Sequence, residues 1–222
     1  MKLATLTMVA LMAVSSVAQA ASIEASSATF AGTVIDFNNF DGYILPQIDS
    51  GNLITSLDLG SGVTLTTTPF SVVGQNAFSL EENGIWTVVG NTNRDGNFVS
   101  TAFESGNGAI NFSFATAIQK VGIFANQSQA LGENNSLQVL AYDINGNVLE
   151  SFTVNIDTAW DSYDEGLFVG FERASADIYG FGISDGSFVV DNLTIAAVPE
   201  PETYAMFLAG LGILGAATRR RA

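Results

Sequence analysis

The chain has 222 residues, enough for one ordinary domain with appendages, and its formal net charge of −15 comes from 22 acidic residues against seven basic ones. Between residues 21 and 198 only Arg94, Lys120 and Arg173 are basic, against 20 Asp and Glu, a surface that repels phosphate backbones and anionic lipids and speaks against nucleic-acid binding. The absence of both Cys and His excludes disulfides, thiolate chemistry, Cys-based metal sites and serine–histidine catalysis, and leaves oxygen-ligated cations and paired-carboxylate chemistry as what the chain can supply.

The first element, "MKLATLTMVALMAVSSVAQA", has a positive start at Lys2, an apolar run from Leu3 to Val14, and a small-residue cleavage pattern at Ala18-Gln19-Ala20. Charge, apolar run and A-x-A site in that order make residues 1–20 a secretory signal peptide, cut by signal peptidase between Ala20 and Ala21. The chain is therefore expected to be exported.

From Ala21 to Val198 the pattern is strand-like, with no helical period. Segments Thr33–Phe37, Val63–Thr67, Ile85–Val89 and Asn97–Ala102 read as short strands. In "AINFSF", Ile110, Phe112 and Phe114 alternate with Asn111 and Ser113, the period of a half-buried strand. Lys120–Ala125 follows, and then "SLQVLAYDINGNVLESFTV", whose apolar arms flank Asn145-Gly146, a pair suited to a hairpin turn with positive φ. Leu167–Phe171, Ile178–Ile183 and Phe188–Ile195 complete the series, with Asp41-Gly42, Asp95-Gly96 and Asp185-Gly186 as turns. Ten to twelve short strands with Gly and Asn turns predict an all-β fold, an antiparallel jelly-roll-like β-sandwich over residues 21–195.

Residues 196–203 form a linker that carries Pro199-Glu200-Pro201, where each proline lacks an N–H and biases its predecessor toward extended backbone. Residues 204–222 then hold an uncharged run from Tyr204 to Thr218, followed at once by Arg219, Arg220 and Arg221. An apolar helix with a basic flank inserts with its arginines on the cytoplasmic side. Fifteen helical residues reach only about 22 Å, short of a ~30 Å hydrocarbon core, so this transmembrane helix reads as a temporary anchor. Gly210-x-Gly212-x-x-Gly215 spells a dinucleotide fingerprint, but seven residues follow the last glycine, too few for the second strand and the acidic residue such a site requires. The glycines instead suit close helix–helix approach in a membrane.

"VPEPETYAMFLAGLGILGAATRRRA" resembles the PEP-CTERM sorting domain, also catalogued as the C-terminal domain of ice-binding proteins. The resemblance covers about the last 25 residues. It implies recognition by exosortase, a membrane-embedded protease or transpeptidase of exopolysaccharide-producing Gram-negative bacteria. Pro199, Glu200 and Pro201 would be the recognition motif, and Arg219 to Arg221 the cytoplasmic stop. The ice-binding label names a tail and does not carry over to the body. Between the ends, "VIDFNNF", "YDINGNVLESF" and "GSFVVDNLTI" give the body a looser similarity to jelly-roll ectodomains found ahead of such tails, similar in outline to carbohydrate-binding and galactose-binding-like modules.

Four oxygen-bearing residues are candidates for a structural Ca²⁺. The alternation Val189, Asp191, Leu193, Ile195 places the Asp191 carboxylate on an apolar face, where it needs a cation, a donor set or a proton. Asp143 follows Leu137, Val139 and Ala141 in the same way, and Asp36 and Asn38 share a face near the other chain end. A Ca²⁺ tying the first strand to the last through some of Asp36, Asn38, Asp143 and Asp191 is one reading; turn hydrogen bonds to Asp191 are the other. "DINGNVLE" lacks the order of an EF-hand loop, so the hairpin takes precedence there.

"DTAWDSYDEG" sets Trp160 and Tyr163 among Asp157, Asp161, Asp164 and Glu165, which offers aromatic faces and acceptors to a sugar, or else an acidic loop whose rings tuck into the core. No carboxylate pair stands out as an acid/base couple, so no catalytic residue is assigned and the body is expected to be non-enzymatic. The expected role is an exported surface or matrix protein associated with carbohydrate or exopolysaccharide. A secreted polysaccharide hydrolase is the alternative. Ice binding would need a regular Thr-rich face, and Thr64, Thr66 and Thr68 of "VTLTTT" supply one strand of it.

Overall fold

Alternation builds the longest strand: Ile110, Phe112 and Phe114 are buried while Ser113 is exposed, within an 11-residue strand from Gly108 to Ile118. The computed structural model describes residues 21–40, 43–45, 47–49, 52–68, 71–74, 97–101, 108–127, 136–156, 166–186 and 188–197. In chain order the strands are β1 (Ala21–Ala25), β2 (Thr33–Ile35), β3 (Tyr43–Leu45), β4 (Gln47–Asp49), β5 (Asn52–Ile54), β6 (Ser56–Gly60), β7 (Val63–Thr68) and β8 (Ser71–Gly74). They continue with β9 (Phe98–Thr101), β10 (Gly108–Ile118), β11 (Lys120–Gln127), β12 (Leu137–Tyr142), β13 (Val148–Val154), β14 (Leu167–Glu172), β15 (Ile178–Gly186) and β16 (Phe188–Ala196). No helix occurs among the described residues.

The expected strands that fall within these residues are present, and β1, β3, β4, β5, β6 and β8 are additional. None of those six exceeds five residues, too short for alternation to reveal. The Ile85–Val89 strand and the Asp41-Gly42 and Asp95-Gly96 turns lie outside the described residues, as do the signal peptide at 1–20 and the segment from 198 to 222.

All pairings are antiparallel. An eight-stranded sheet runs β1-β14-β11-β16-β9-β8-β3, with β2 also on β16; a six-stranded sheet runs β13-β12-β15-β10-β7-β6; β4 and β5 pair separately. Strands β14, β15 and β16 alternate between the two large sheets, so their apolar faces close on one core.

Five rings trace that core from one sheet to the other. Phe37 lies 6.3 Å from Phe112, Phe112 lies 6.4 Å from Phe181, Phe181 lies 6.3 Å from Phe171, and Phe171 lies 5.3 Å from Phe152. Separations of this size are where aromatic pairs attract beyond simple burial. Phe37 reaches the core from a left-handed backbone, φ 57°, unusual for so bulky a residue; the turn is closed by Phe40 N–H donating to the Phe37 carbonyl at 2.8 Å. A smaller cluster of Ile23, Phe98, Phe124, Phe168 and Val189 covers the outer face of the eight-stranded sheet.

Asp185-Gly186 is a bulge in the end of β15 rather than a free turn. Asp185 has φ 73°, and the β10–β15 register shifts between Gly108 and Ala109. The chain then passes to the other sheet across position 187. The buried Thr101 hydroxyl fastens this corner by accepting from Phe188 N–H at 3.0 Å and lying 3.3 Å from the Phe188 carbonyl.

At one edge Arg173, just after β14, pairs with Glu150 on β13 and with Asp177 before β15, at 2.5 Å to the latter. The guanidinium thereby links both sheets, and the Asp177 hydrogen bond raises its already high pKa.

Candidate functional site

The outward face of the six-stranded sheet follows from its register. Asn111 pairs with Gly182 and Thr66, Ser113 with Gly180 and Thr64, and Tyr142 with Gly180. Each is the polar or glycine phase of a strand whose other phase fills the core. Thr66, Asn111, Ser113, Tyr142 and Gly180 from this face border a groove of about 530 Å³, with Asp143 and Tyr179 among its other lining residues. This volume lies in the range of small-ligand sites, about 300–1,000 Å³.

Two glycines shape the groove. A Cβ on Gly182 would lie 2.4 Å from Asn111 Oδ1 and 3.2 Å from Tyr142 Cε2, and one on Gly180 would lie 3.3 Å from Tyr142 Cδ2. The ring edge of Tyr142 thus runs along the β15 backbone because nothing projects there. Partial burial raises the Tyr142 phenol pKa, so it stays a neutral hydroxyl donor.

The hairpin between β12 and β13 closes one end. Its turn spans Asp143 to Gly146, with Gly146 N–H donating to the Asp143 carbonyl at 3.0 Å. Positive φ falls on Gly146, at 79°, and not on Asn145, which makes this a longer turn with a glycine bulge rather than the two-residue turn that Asn-Gly suggests. Asp143 does not enter the core as the alternation of β12 suggests, but lies in the exposed hairpin turn. Its Oδ1 accepts from the N–H groups of Asn145 and Asn147, each at 2.8 Å, and its Oδ2 accepts from Asn147 Nδ2 at 3.0 Å.

These bonds, the Asn147 side-chain amide first, hold the Asp143 carboxyl below its ordinary value. A folded value below the unfolded one means that the carboxylate supports the hairpin above the ordinary aspartate range, near pH ~4, and that this support fades as pH falls through the lowered folded value. A carboxyl NMR titration should accordingly place the Asp143 midpoint below that of a free aspartate, and Asp143→Ala should speed amide exchange at residues 145–147. A midpoint at the free-aspartate value would remove this account of the turn.

The other three candidates lie elsewhere. Asp36 and Asn38 satisfy each other, with Asn38 N–H donating to Asp36 Oδ1 at 3.2 Å and Asn38 Nδ2 to Oδ2 at 3.0 Å. Asn38 Oδ1 in turn accepts from Asn97 N–H at 3.0 Å.

Asp191 is buried, at 1% exposure, on the apolar outer face that alternation lets it share with Val189, but Leu193 and Ile195 do not stay on that face. The β11–β16 register shifts between Gly122 and Phe124, and Asn192 takes φ 55°. This bulge reverses the phase of β16. Val190 and Leu193 both enter the central core, whereas Asp191 pairs with Phe124 and shares the outer face with Val189. Asn192 donates to the carboxylate through its N–H at 2.6 Å and its Nδ2 at 3.1 Å. Asp143 on one sheet and Asp191 on the far face of the other do not converge, so the four residues form no single site. Among the described residues no group of three or more acidic side chains is placed to hold a metal. Trp160 and Tyr163 lie outside the described residues.

Fold and groove together define the class: an antiparallel all-β protein of two facing sheets, with a groove on the exposed face of one. The C-terminal end is more specific. Residues 197–221 match the family model for the PEP-CTERM protein-sorting motif, and the chain carries the signal of an exported exosortase substrate. Pro199, Glu200, Pro201 and Arg219 to Arg221 all fall within that match. Among the described residues no helix is long and apolar enough to cross a membrane; the span expected at 204–222 lies outside them.

No curated protein matches the chain. Solved structures give distant likenesses. A bacteriophage CBA120 tailspike protein 4 enzymatically active domain aligns at 13% identity and TM-score 0.36, over 62% of this chain, which spans 20% of that one. The solution structure of CtCBM11 aligns at 16% identity and TM-score 0.28, over 72% of this chain and 98% of that one.

Proposed function

We propose that this protein is a non-enzymatic, jelly-roll β-sandwich of the Gram-negative cell surface or extracellular matrix that binds carbohydrate. The observation that carries the reading is the groove, where hydroxyl and amide side chains meet an aromatic ring over a glycine floor. Sugars present this complement, with C–H faces for the ring and hydroxyls for the polar rim. Export would begin at the signal peptide, and the short span at 204–222 would hold the chain in the inner membrane until exosortase acts at Pro199-Glu200-Pro201. Mass spectrometry of surface-localised protein tests that route, because an intact Arg219–Ala222 end contradicts processing.

The hydrolase alternative needs two carboxyl groups flanking a scissile bond. Asp143 is the single carboxyl among the described residues that line the groove, and its oxygens are already bonded within the hairpin. A glycan array run beside an activity screen separates the readings. Turnover abolished by one Asp or Glu substitution would defeat the binding role.

A structural Ca²⁺ remains part of the proposal at the Asp191 end alone. The register puts Ser100, Val189 and Asn126 side by side on the outer face of the eight-stranded sheet, adjacent to Asp191. There Ser100 Oγ and Asn126 Oδ1 are buried without hydrogen-bond partners. Oxygen atoms of this kind suit a hard cation, which would supply charge to offset the buried carboxylate. Added Ca²⁺ is expected to raise the melting temperature of the full-length protein, and Asn126→Ala to abolish the rise. A melting temperature indifferent to Ca²⁺ and chelator removes the ion.

A further inference from the structure

We infer that the groove takes an uncharged glycan chain, with sugar C–H faces against Tyr142 and Ile144 and sugar hydroxyls bonded to Thr66, Asn111 and Ser113. This deepens the carbohydrate reading and rests on it.

Charge decides the class of sugar. Across the described outward positions of the six-stranded sheet, register gives Thr153, Gln138 and Ser184 in one row, and Ser151, Leu140, Gly182, Asn111, Thr66 and Ser56 in the next. Ser113, Thr64 and Asp58 end the third row. On a chain of net charge −15, this face is nearly free of ionised groups.

A uronate, sulfate or phosphate polymer needs cations to hold it. The described basic residues are committed elsewhere, Lys120 to Glu172 at 2.5 Å and Arg173 to Glu150 and Asp177, and neither borders the groove. The ionised groups near the face, Asp58 and Asp143, would repel such a polymer. A cationic amino sugar is no better served. The Asp143 carboxylate already accepts three hydrogen bonds from the hairpin, and Asp58 accepts from Gly60 N–H at 2.9 Å.

What remains is contact with a neutral ring. Ile144, at 69% exposure, lines the same groove as Tyr142 and adds an apolar rim that the hairpin holds clear of the core. Asn111 supplies both a donor and an acceptor, and Thr66 and Ser113 supply hydroxyls that can do either, the flexibility that sugar hydroxyls require. The glycines at 180 and 182 leave room for the Tyr142 ring and the Asn111 amide to lie over the β15 backbone, which sets both at the groove.

The test is affinity electrophoresis of the full-length protein in detergent. One set of gels holds neutral polysaccharides (a β-glucan, a galactomannan, a mannan), and another holds alginate, polygalacturonate or a sulfated galactan. Retardation is expected on a neutral gel at both low and high salt, because no ion pair contributes. Tyr142→Ala should weaken it about tenfold and Gly180→Val, which crowds the Tyr142 ring out of place, by at least as much, while Tyr142→Phe retains most of it. Unchanged melting temperatures for the tyrosine variants separate lost contact from lost fold. Salt-sensitive binding to the acidic polymers alone overturns the inference and leaves the carbohydrate reading standing. Neutral binding indifferent to both Tyr142→Ala and Gly180→Val also overturns it, by removing the groove. Binding to none of the polysaccharides overturns both.

Discussion

Replacing Gly170 with alanine should destabilise the protein by about 3 kcal/mol or more, enough to leave much of it unfolded if its stability is of the ordinary size. Gly170 sits in β14 between β1 and β11, paired with Ile23 on one side and Gly122 on the other. A Cβ there would lie 2.0 Å from the Val121 carbonyl oxygen and 2.6 Å from Gly122 Cα. Backbone atoms cannot swing aside as a side-chain end can, so three strands would have to part. Gly146→Ala is the matched control. It has open space around the new methyl but a backbone φ of 79°, so only the left-handed conformation opposes it, at about 1 kcal/mol. Urea unfolding of the two variants measures the difference. Equal stabilities would show that β14 does not approach β11 this closely.

Gly170 also marks where the amino-acid pattern stops being informative. In "LFVGFE" it occupies one position of an apolar run, and nothing nearby in the chain announces the close approach to a strand 48 positions earlier. Local alternation was enough to read β10, where Phe112 and Asn111 fall on opposite sides, and the β12–β13 hairpin, where the turn residues are adjacent in sequence. Alternation holds from Val189 to Asp191 but fails at Leu193 and Ile195, because Asn192 takes a left-handed backbone and reverses the phase for everything after it. Period-2 counting assumes no bulge, and nothing in "VVDNLTI" beyond the tolerance of Asn for that conformation signals one.

The groove was hidden for a different reason. Thr66, Asn111, Ser113, Tyr142 and Tyr179 are each an ordinary polar-phase residue of a separate stretch. They become neighbours only through the strand order β12-β15-β10-β7, which is a matter of non-local pairing. The available clue was the polar phase itself. Asn111 and Ser113 opposite three core residues, and Thr64 and Thr66 opposite Val63 and Leu65, describe a neutral face in a strongly acidic chain. The sorting signal was the opposite case. Its proline motif, apolar run and arginines are contiguous, so position along the chain is all that is needed to recognise it.

The second large effect lies at the ring in the middle of the core. Phe181→Ala is expected to cost about 3–5 kcal/mol, the usual range for emptying a buried phenylalanine site. Phe181 is fully buried and is a central link between the two sheets: it neighbours Phe112 within its own sheet, rings 19° from parallel, and meets Phe171 of the facing sheet edge-on at 77°. Removing it leaves Phe112 and Phe171 facing a void that neither can fill, because Phe112 is also held by Phe37 and Phe171 by Phe152. The strands on both sides are fixed by hydrogen-bonded neighbours, so collapse around the cavity is limited and the loss should fall in the upper part of that range. Phe181→Leu keeps most of the volume and should lose only about 1–2 kcal/mol. Phe171→Ala tests the connection directly: in a double-mutant cycle with Phe181→Ala, touching rings should show a coupling of at least about 0.5 kcal/mol. Additive losses would mean that Phe181 and Phe171 do not touch across the sheets, and that the register placing Phe181 opposite Phe112 and Ala141 does not set the depth of the core.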